Sequence, residues 1–202
     1  MNLFEKIGLL WKYRREARAA VARQIRLLEG DAITQTLGSL TDEELAGLAE
    51  WVEEVPAGGT VVEIGTLFGL TTIEMARHAQ EGVRIVTVDN FSWNPFGLPP
   101  AQHEQFTRRV LEPWIDSGKV ELVKADSDLF RKDFEVVPDL LFLDADHAYE
   151  AVRQELEWAA RIGAKVISGH DYGRSEFGVT RAVDAVAPKG VLTAGSCWRI
   201  RR

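Results

Sequence analysis

Two apolar segments of this sequence each end in acidic and imidazole side chains. "LFLDADHAYEAV" carries Asp144 and His147, and "KVISGHDYG" carries His170 and Asp171. Both segments have the composition of buried strands, and neighbouring parallel strands lie about 4.8 Å apart, so Asp144, His170 and Asp171 can reach a common point. Carboxylates suit Mg²⁺ or Ca²⁺, and an added imidazole also suits Mn²⁺, Zn²⁺ or Fe²⁺. We predict a divalent-metal site here, with a cofactor role for Asp144 and a turn cap at Asp171 as the alternative.

A second motif lies in "VVEIGTLFGLTT", where Gly65 and Gly69 are four residues apart. Glycine lets a ligand approach the backbone closely. The spacing differs from the G-x-G-x-x-G of dinucleotide sites, and Glu63 would repel a pyrophosphate but suits a cationic ligand. Asp89 follows 24 residues after Gly65 and can accept both hydroxyls of a ribose. A purely structural turn is the alternative for the two glycines.

The elements that carry these residues alternate between strand and helix. Strands are predicted at residues 60–65, 83–90, 119–126, 139–146 and 165–171, and helices at 70–80, 101–118, 148–163 and 178–187. Residues 190–202 are predicted to form two short strands in a hairpin. Continuous apolar strands joined by helices indicate a parallel sheet covered on both faces, with ligands at the carboxyl ends of its strands.

The first part of the chain has a different pattern. Residues 3–28 are predicted to be helical, and Thr41 begins a second helix with Glu44 at capping-box spacing. We therefore divide the chain into an N-terminal helical extension, residues 1–56, and a domain of residues 57–202. The basic cluster Lys12–Arg26 is interpreted as a solvated helix face or a subunit contact, with docking to a membrane or anionic ligand as the alternative.

Composition excludes several classes of protein. The formal net charge of −7 argues against a general nucleic-acid surface, and no apolar run reaches the ~18 residues of a membrane span. The single cysteine, Cys197, fits a reducing cytoplasm and is predicted to lie in the core. His78 and His103 are predicted to be exposed helix residues.

Together, "VVEIGTLFGLTT", "IVTVDN", "LFLDADHAYEAVRQELEWA", "ISGHDYG" and "GVTRAVDAV" resemble the class I S-adenosylmethionine-dependent methyltransferases. The resemblance spans about residues 58–201 and is greatest to bacterial small-molecule O-methyltransferases that act on sugars, and to catechol-type enzymes. It implies a Rossmann-like, doubly wound, mostly parallel seven-stranded sheet whose last strand is antiparallel. It also implies a cofactor-binding set: Glu63, Gly65, Thr66, Gly69, Asp89, Asn90, Asp126, Ser127 and Asp144.

The resemblance also implies roles in catalysis. S-adenosylmethionine would be the cofactor, with a divalent ion, Mg²⁺ as first choice and Mn²⁺ as second, on Asp144, His170 and Asp171. Related enzymes carry Asp-Asn or paired acids where this chain has His170-Asp171. His147 would be the general base and Asp144 its catalytic partner, with an exposed first-turn histidine as the alternative. Helix capping is the alternative role for Asp126 and Ser127.

These observations predict O-methylation of a small-molecule hydroxyl, on a sugar, a phenol or a natural product. The loop Phe91–Pro100 is expected to cover the acceptor or, alternatively, to be a packed surface loop, and Phe91 or Trp93 to pack near the adenosine. Three other functions stay open: an NAD-dependent oxidoreductase, a silent cofactor-binding scaffold, and a metal-dependent hydrolase. The N-terminal helices could serve as a homo-oligomer contact.

Overall fold

A computed structural model describes residues 40–201 of the chain. The helix predicted over residues 3–28 lies outside these residues. The next predicted helix, α1, spans Asp42–Glu53 and begins with the expected capping box. The Glu44 amide donates to Thr41 Oγ1 and the Thr41 amide donates to the Glu44 carboxylate. Two of the amide groups that a helix N-terminus leaves free are thereby satisfied.

Strands and helices then alternate along the chain as the sequence pattern predicts. The elements are β1 (Thr60–Ile64), α2 (Leu70–His78), β2 (Arg84–Asp89), α3 (Pro100–Asp116), β3 (Val120–Lys124), α4 (Ser127–Asp133), β4 (Leu140–Leu143), α5 (Tyr149–Ile162), β5 (Val166–Gly169), α6 (Val179–Val186), β6 (Leu192–Ala194) and β7 (Cys197–Arg201).

The seven strands form one sheet in the order β3-β2-β1-β4-β5-β7-β6. Strands β1 to β5 are parallel, whereas β7 runs antiparallel to both β5 and β6. The predicted doubly wound α/β fold with an antiparallel last strand is therefore confirmed. The strand order reverses direction between β1 and β4, and such a switch point opens a crevice at the carboxyl ends of the strands.

Hydrophobic side chains pack on both faces of the sheet. On one face, Leu140 and Phe142 belong to a cluster with residues of α1, α2 and α3. On the other face, Leu141 and Leu143 pack with residues of α5 and α6. This two-sided burial explains why the central strands have no alternating polar positions. Cys197 is buried, as predicted. Within residues 40–201, no helix combines the length and apolar character that crossing a membrane requires.

Candidate active site

A cavity of about 1050 Å³ opens at the carboxyl ends of the parallel strands, next to the switch point. Its lining comes from the segments that follow β1, β2, β3 and β4, and from the loop before α6. Eight of the predicted site residues line it: Gly65, Thr66, Asp89, Asn90, Asp126, Ser127, Asp144 and His147. The fold therefore brings the glycine loop and the start of the acid–imidazole cluster to one crevice.

Gly65 sits where the β1–α2 loop meets the end of β4. Its φ is +102°, and a Cβ placed on it would lie 2.2 Å from the carbonyl oxygen of Asp144. Both facts require glycine at this position. Gly69 has φ +82° and precedes α2, but it packs against Leu111 and does not line the cavity. Gly69 therefore determines the shape of the loop without lining the cavity.

Asp89, at the end of β2, organises that loop. Its Oδ2 accepts from the amides of Thr66 (3.1 Å) and Leu67 (2.8 Å), and its Oδ1 accepts from the amide of Phe91 (2.6 Å). Oδ1 has one such bond, so it keeps acceptor capacity toward the cavity. Leu67 and Phe91 both have positive φ, 48° and 60°. A loop with two such residues is strained and needs support from its surroundings.

His103 on α3 provides part of that support. Its Nε2 lies 2.8 Å from the carbonyl oxygen of Leu67, to which the Thr107 hydroxyl also donates at 2.7 Å. The ring is fully buried between Phe68 and Phe91, at centroid distances of 4.9 and 5.1 Å. The expectation that His103 is exposed is wrong, because this face of α3 covers the glycine loop. His78 is partly exposed and pairs with a glutamate on α1.

Glu63 lies on β1 beneath the loop and is fully buried. Its Oε2 accepts from the hydroxyls of Thr72 and Thr87, both at 2.5 Å. Its Oε1 is buried with no hydrogen-bond partner among the described residues. Burial raises the pKa of Glu63 to about 8. Glu63 does not itself line the cavity, and its unpaired oxygen is buried beneath the glycine loop.

At the far end of the cavity, Asp126 and Ser127 follow β3. Asp126 caps α4 by accepting from the amide of Asp128 at 3.0 Å, so the capping role considered for it is present. Both residues also line the cavity. Asn90 similarly closes its own turn by accepting from the Ser92 amide at 2.9 Å. A residue at either position can therefore cap a helix or turn and line the cavity at the same time.

The acid–imidazole cluster comprises Asp144, His147, His170 and Asp171. Nε2 of His147 lies 3.5 Å from Asp144 Oδ1, and Nδ1 of His147 lies 3.2 Å from Asp171 Oδ2. Nδ1 of His170 lies 3.6 Å from one oxygen of each carboxylate. Asp171 itself has φ 62°, an uncommon conformation for a residue other than glycine. The two imidazoles thus bridge the same two acids.

Each group in the cluster shifts the pKa of the others. The Asp144 carboxylate raises the pKa of His147, against the opposing effect of burial. Burial alone would lower the pKa of His170, but Asp144, Asp171 and Glu44 raise it overall. Burial alone would raise the pKa of Asp144, but the two imidazoles lower it overall. The Asp144 carboxylate is therefore stabilised in its ionised form, next to two imidazoles that take up a proton more readily than a free histidine.

The donor set fits a divalent metal. One ligand atom each from Asp144, His147 and Asp171 lies within 4.8 Å of the other two. Nε2 of His147 and Nδ1 of His170 are both buried without a hydrogen-bond partner among residues 40–201. Two unpaired imidazole nitrogens facing two carboxylates are ligands that a metal ion can use. The predicted metal residues Asp144, His170 and Asp171 are brought together, and His147 joins them.

A family model described as a methyltransferase domain matches residues 62–172, more than half of the chain. The chain belongs to this methyltransferase family. No curated protein sequence matches it significantly.

Solved structures share the fold of this methyltransferase. An O-methyltransferase from Bacillus cereus, solved in complex with SAH, superposes with a TM-score of 0.64 at 20% identity and covers 91% of each chain. The O-methyltransferase TomG from Streptomyces achromogenes, involved in tomaymycin synthesis and solved with SAM, gives a TM-score of 0.60 at 16% identity, covering 91% of this chain and 87% of that one. CalS11, a TDP-rhamnose 3'-O-methyltransferase of calicheamicin biosynthesis, gives 0.57 at 18% identity, covering 91% and 93%.

Aromatic side chains stand at the mouth of the methyltransferase cavity. Trp93 is 69% exposed and lines the cavity, whereas Phe91 is fully buried beside His103 and does not. Phe177, before α6, also lines it and meets the His147 ring edge to face at 4.6 Å. Asn94 bonds three backbone groups of its own loop, so the loop is internally ordered as well as facing the cavity.

Two charged residues of the cavity wall were not singled out from the sequence. Glu155 on α5 is buried, and burial raises its pKa to about 8. Arg131 on α4 lines the same wall and pairs with Asp128, and its Nη1 has no partner among the described residues. In the sequence, a glutamate or an arginine that faces a cavity from a helix has the same spacing as one that faces solvent. Spacing therefore cannot identify Glu155 or Arg131 as residues of the cavity wall.

Proposed function

We propose that this methyltransferase transfers a methyl group from S-adenosylmethionine to a hydroxyl oxygen of a small molecule. The observation that carries the proposal is the shared cavity. The glycine loop and Asp89 line it together with Asp144 and His147 of the acid–imidazole cluster. Solved O-methyltransferases with SAH or SAM bound have the same fold and support this choice.

The cofactor side of the cavity suits a nucleoside that carries positive charge. Gly65 and Thr66 would border the methionine part, with Glu63 Oε1 as a buried acceptor beneath it. Asp89 Oδ1 would accept from the ribose, and Asp126 and Ser127 would face the adenine. The acids of the lining outnumber the basic residues, which favours a sulfonium ligand over a polyphosphate.

On the acceptor side, His147 would accept the proton of the attacking hydroxyl. Nδ1 lies 3.2 Å from Asp171 and would carry the proton of the neutral ring. Nε2, which lies 3.5 Å from Asp144 and has no hydrogen-bond partner among the described residues, would then take the proton of the acceptor. A bound sulfonium supplies an electrophilic methyl carbon. The protein's part is to hold the oxygen in line behind that carbon, about 3 Å away, and to exclude water.

We further propose that a divalent metal binds at Asp144, His170 and Asp171, which leaves His147 to act as the base. Such an ion lowers the pKa of a bound hydroxyl. Nδ1 of His170, which is buried without a hydrogen-bond partner among the described residues, supports this from the chain itself. Trp93 and Phe177 would cover the acceptor, which we propose to be a sugar, a phenol or a related natural product with a flat or partly apolar surface.

Calorimetric titration with S-adenosylhomocysteine in EDTA tests the cofactor site. We expect micromolar binding that Asp89→Ala abolishes. Because Asp89 also holds the glycine loop, the melting temperature of the variant is measured alongside, and Asp116→Ala, on the exposed end of α3, is the matched control. Binding of NAD in place of S-adenosylhomocysteine would support the oxidoreductase alternative and sink this proposal. Binding of S-adenosylhomocysteine without methyl transfer to any acceptor in a screen would support the alternative of a cofactor-binding scaffold that has no catalytic activity.

We also propose a domain organisation for the chain. We divide the chain into an extension, residues 1–56, and a methyltransferase domain, residues 57–202, although α1 packs closely on β6, where a Cβ on Gly47 would lie 2.2 Å from that of Ala194. We propose a cytoplasmic location, no nucleic-acid or membrane partner, and a homo-oligomer contact through the extension. Light scattering of the full chain and of a chain lacking residues 1–39 tests the last of these.

A further inference from the structure

A chain of hydrogen bonds lies behind the acid–imidazole cluster. It joins Glu44 on α1, Ser196 in the β6–β7 turn and His170 after β5. Ser196 Oγ lies 2.5 Å from Glu44 Oε1 and 2.9 Å from His170 Nε2. The Ser196 amide also donates to Glu44 Oε1 at 2.8 Å, and Trp198 Nε1 donates to the His170 carbonyl at 3.1 Å. The position and orientation of His170 are therefore fixed by residues outside its own strand.

The direction of these bonds follows from the donors available. An ionised carboxylate only accepts, and a serine hydroxyl has a single proton to donate. Ser196 therefore donates to Glu44 and must accept from His170 Nε2. This places a proton on Nε2, and in the neutral ring it leaves Nδ1 with a bare lone pair.

That lone pair points at two acids. His170 Nδ1 lies 3.6 Å from Asp144 Oδ1 and 3.6 Å from Asp171 Oδ1, and it has no hydrogen-bond partner among the described residues. The His170 side chain is only 2% exposed, so bulk water does not separate the three atoms. Three acceptor atoms facing one another are unfavourable unless a proton or a metal ion lies among them. A metal ion that binds here therefore displaces the proton from Nδ1.

Glu44 Oε1 also lies 3.4 Å from His170 Nε2. We infer that Glu44 is a positioning residue that acts through Ser196, and by this direct approach, to hold His170 in this tautomer, and so prepares the site for a first-row transition metal ion in preference to Mg²⁺. A hydrogen bond on the far nitrogen of a ligating histidine fixes its tautomer and orientation. Imidazole nitrogen suits Mn²⁺, Fe²⁺, Co²⁺ or Zn²⁺, whereas Mg²⁺ prefers oxygen. This inference rests on the proposed metal-assisted methyl transfer and assigns a role to α1.

Calorimetric titration of the full chain with MnCl₂ and with MgCl₂, in the absence of acceptor, tests it. The wild type is expected to bind Mn²⁺ at least about tenfold more tightly than Mg²⁺. Glu44→Gln and Ser196→Ala are each expected to weaken Mn²⁺ binding by about 10–100-fold, the usual effect of removing a partner behind a metal ligand. Glutamine is also accepted in the capping box, so the first variant spares the helix cap.

Thr41→Ala is the matched control. It removes the other half of the capping box, so it is expected to lower the melting temperature without changing Mn²⁺ affinity. If Glu44→Gln fails to fold, Ser196→Ala still tests the inference. In that variant the backbone amide of residue 196 keeps its hydrogen bond to Glu44, so the contact between α1 and the β6–β7 turn is preserved. Unchanged Mn²⁺ affinity in both variants, equal affinity for Mg²⁺, or no metal binding by the wild type would each overturn the inference. Titration with S-adenosylhomocysteine in EDTA is independent of the metal, so its outcome separates failure of this inference from failure of the proposed function.

Discussion

Nε2 of His103 lies 2.8 Å from the carbonyl oxygen of Leu67, so helix α3 sets the shape of the glycine loop. Leu67 has φ 48°, in the left-handed region, and its amide donates to Asp89. Thr107 donates to the same carbonyl. The carboxylate of Asp89 thus holds the amide side of this strained residue, and two α3 side chains hold its carbonyl side.

Replacing His103 with phenylalanine is therefore expected to weaken cofactor binding. The ring packing against Phe68 and Phe91 is retained, but the donor to Leu67 is lost, at a cost of about 1–3 kcal/mol. We expect a roughly tenfold or greater loss of S-adenosylhomocysteine affinity by calorimetry, since about 1.4 kcal/mol corresponds to tenfold. Gln105→Ala, on the exposed side of α3, should bind normally. A variant with a lower melting temperature but wild-type affinity for S-adenosylhomocysteine would show that His103 supports only the fold.

Gly65→Ala is expected to disrupt the site. The added methyl group would lie 2.2 Å from the Asp144 carbonyl oxygen, and φ at this position is +102°. The β1–α2 loop and the end of β4 would have to separate, so we expect loss of S-adenosylhomocysteine binding and a large fall in urea-unfolding stability.

Gly97→Ala is the control for backbone strain alone. Its φ is also positive, at +63°, but no atom lies within 4 Å of the added Cβ. It should cost only about 1–2 kcal/mol. Equal stability losses in the two variants would contradict the proposed close contact between the loop and β4.

Glu155 should make stability fall with rising pH. Burial raises its folded-state pKa from 4.5 to about 8, so the folded protein retains a proton that the unfolded chain releases. Its contribution to stability is complete below the unfolded pKa, and is lost as pH rises toward the folded pKa. Between about pH 5 and about pH 8, the wild type should therefore lose a few kcal/mol relative to Glu155→Gln in urea unfolding. Glu157→Gln, exposed on the same helix, should follow the wild type, and a pH-independent difference for Glu155→Gln would refute the assignment.

His147→Gln should abolish catalysis while sparing the cofactor. Loss of a general base typically lowers kcat about 10²–10⁴-fold. The His147 ring contacts Asp144, Asp171 and Phe177, so S-adenosylhomocysteine affinity should stay within about twofold, a difference below 0.5 kcal/mol. The measurement is single-turnover methyl transfer to the acceptor found by screening, with His78→Gln as the control for a partly exposed histidine. A variant that keeps most of the wild-type rate would remove His147 from the mechanism.

The sheet could be predicted from sequence because its signals are local. Each central strand is an apolar run that ends in glycine or an acid, as at Gly65, Asp89 and Asp144, and parallel topology then gathers those ends at one edge. The sequence allows Asp126 to be a helix cap or a cofactor-binding residue. In the structure it caps the helix and also lines the cavity. The short helix α4 that it begins was not recognised as an element.

Contacts between distant segments could not be predicted. His103 has the spacing of a helix residue, but which loop lies over that helix is set by tertiary packing. Glu44 and Ser196 are 152 residues apart, and neither spacing nor composition connects them. Glu44 was predicted only as half of a capping box, and the same carboxylate turns out to hold Ser196 as well.

The hairpin β6–β7 also has a consequence for the newly made protein. A ribosome synthesises all five parallel strands and the whole acid–imidazole cluster before Ser196 and Trp198 emerge. Until then His170 lacks the hydroxyl that orients its ring and the indole that holds its carbonyl. A nascent chain can therefore carry the glycine loop and both acids before the imidazole of His170 is held in place. An oriented His170 is therefore acquired only after β7 has been made and has inserted beside β5.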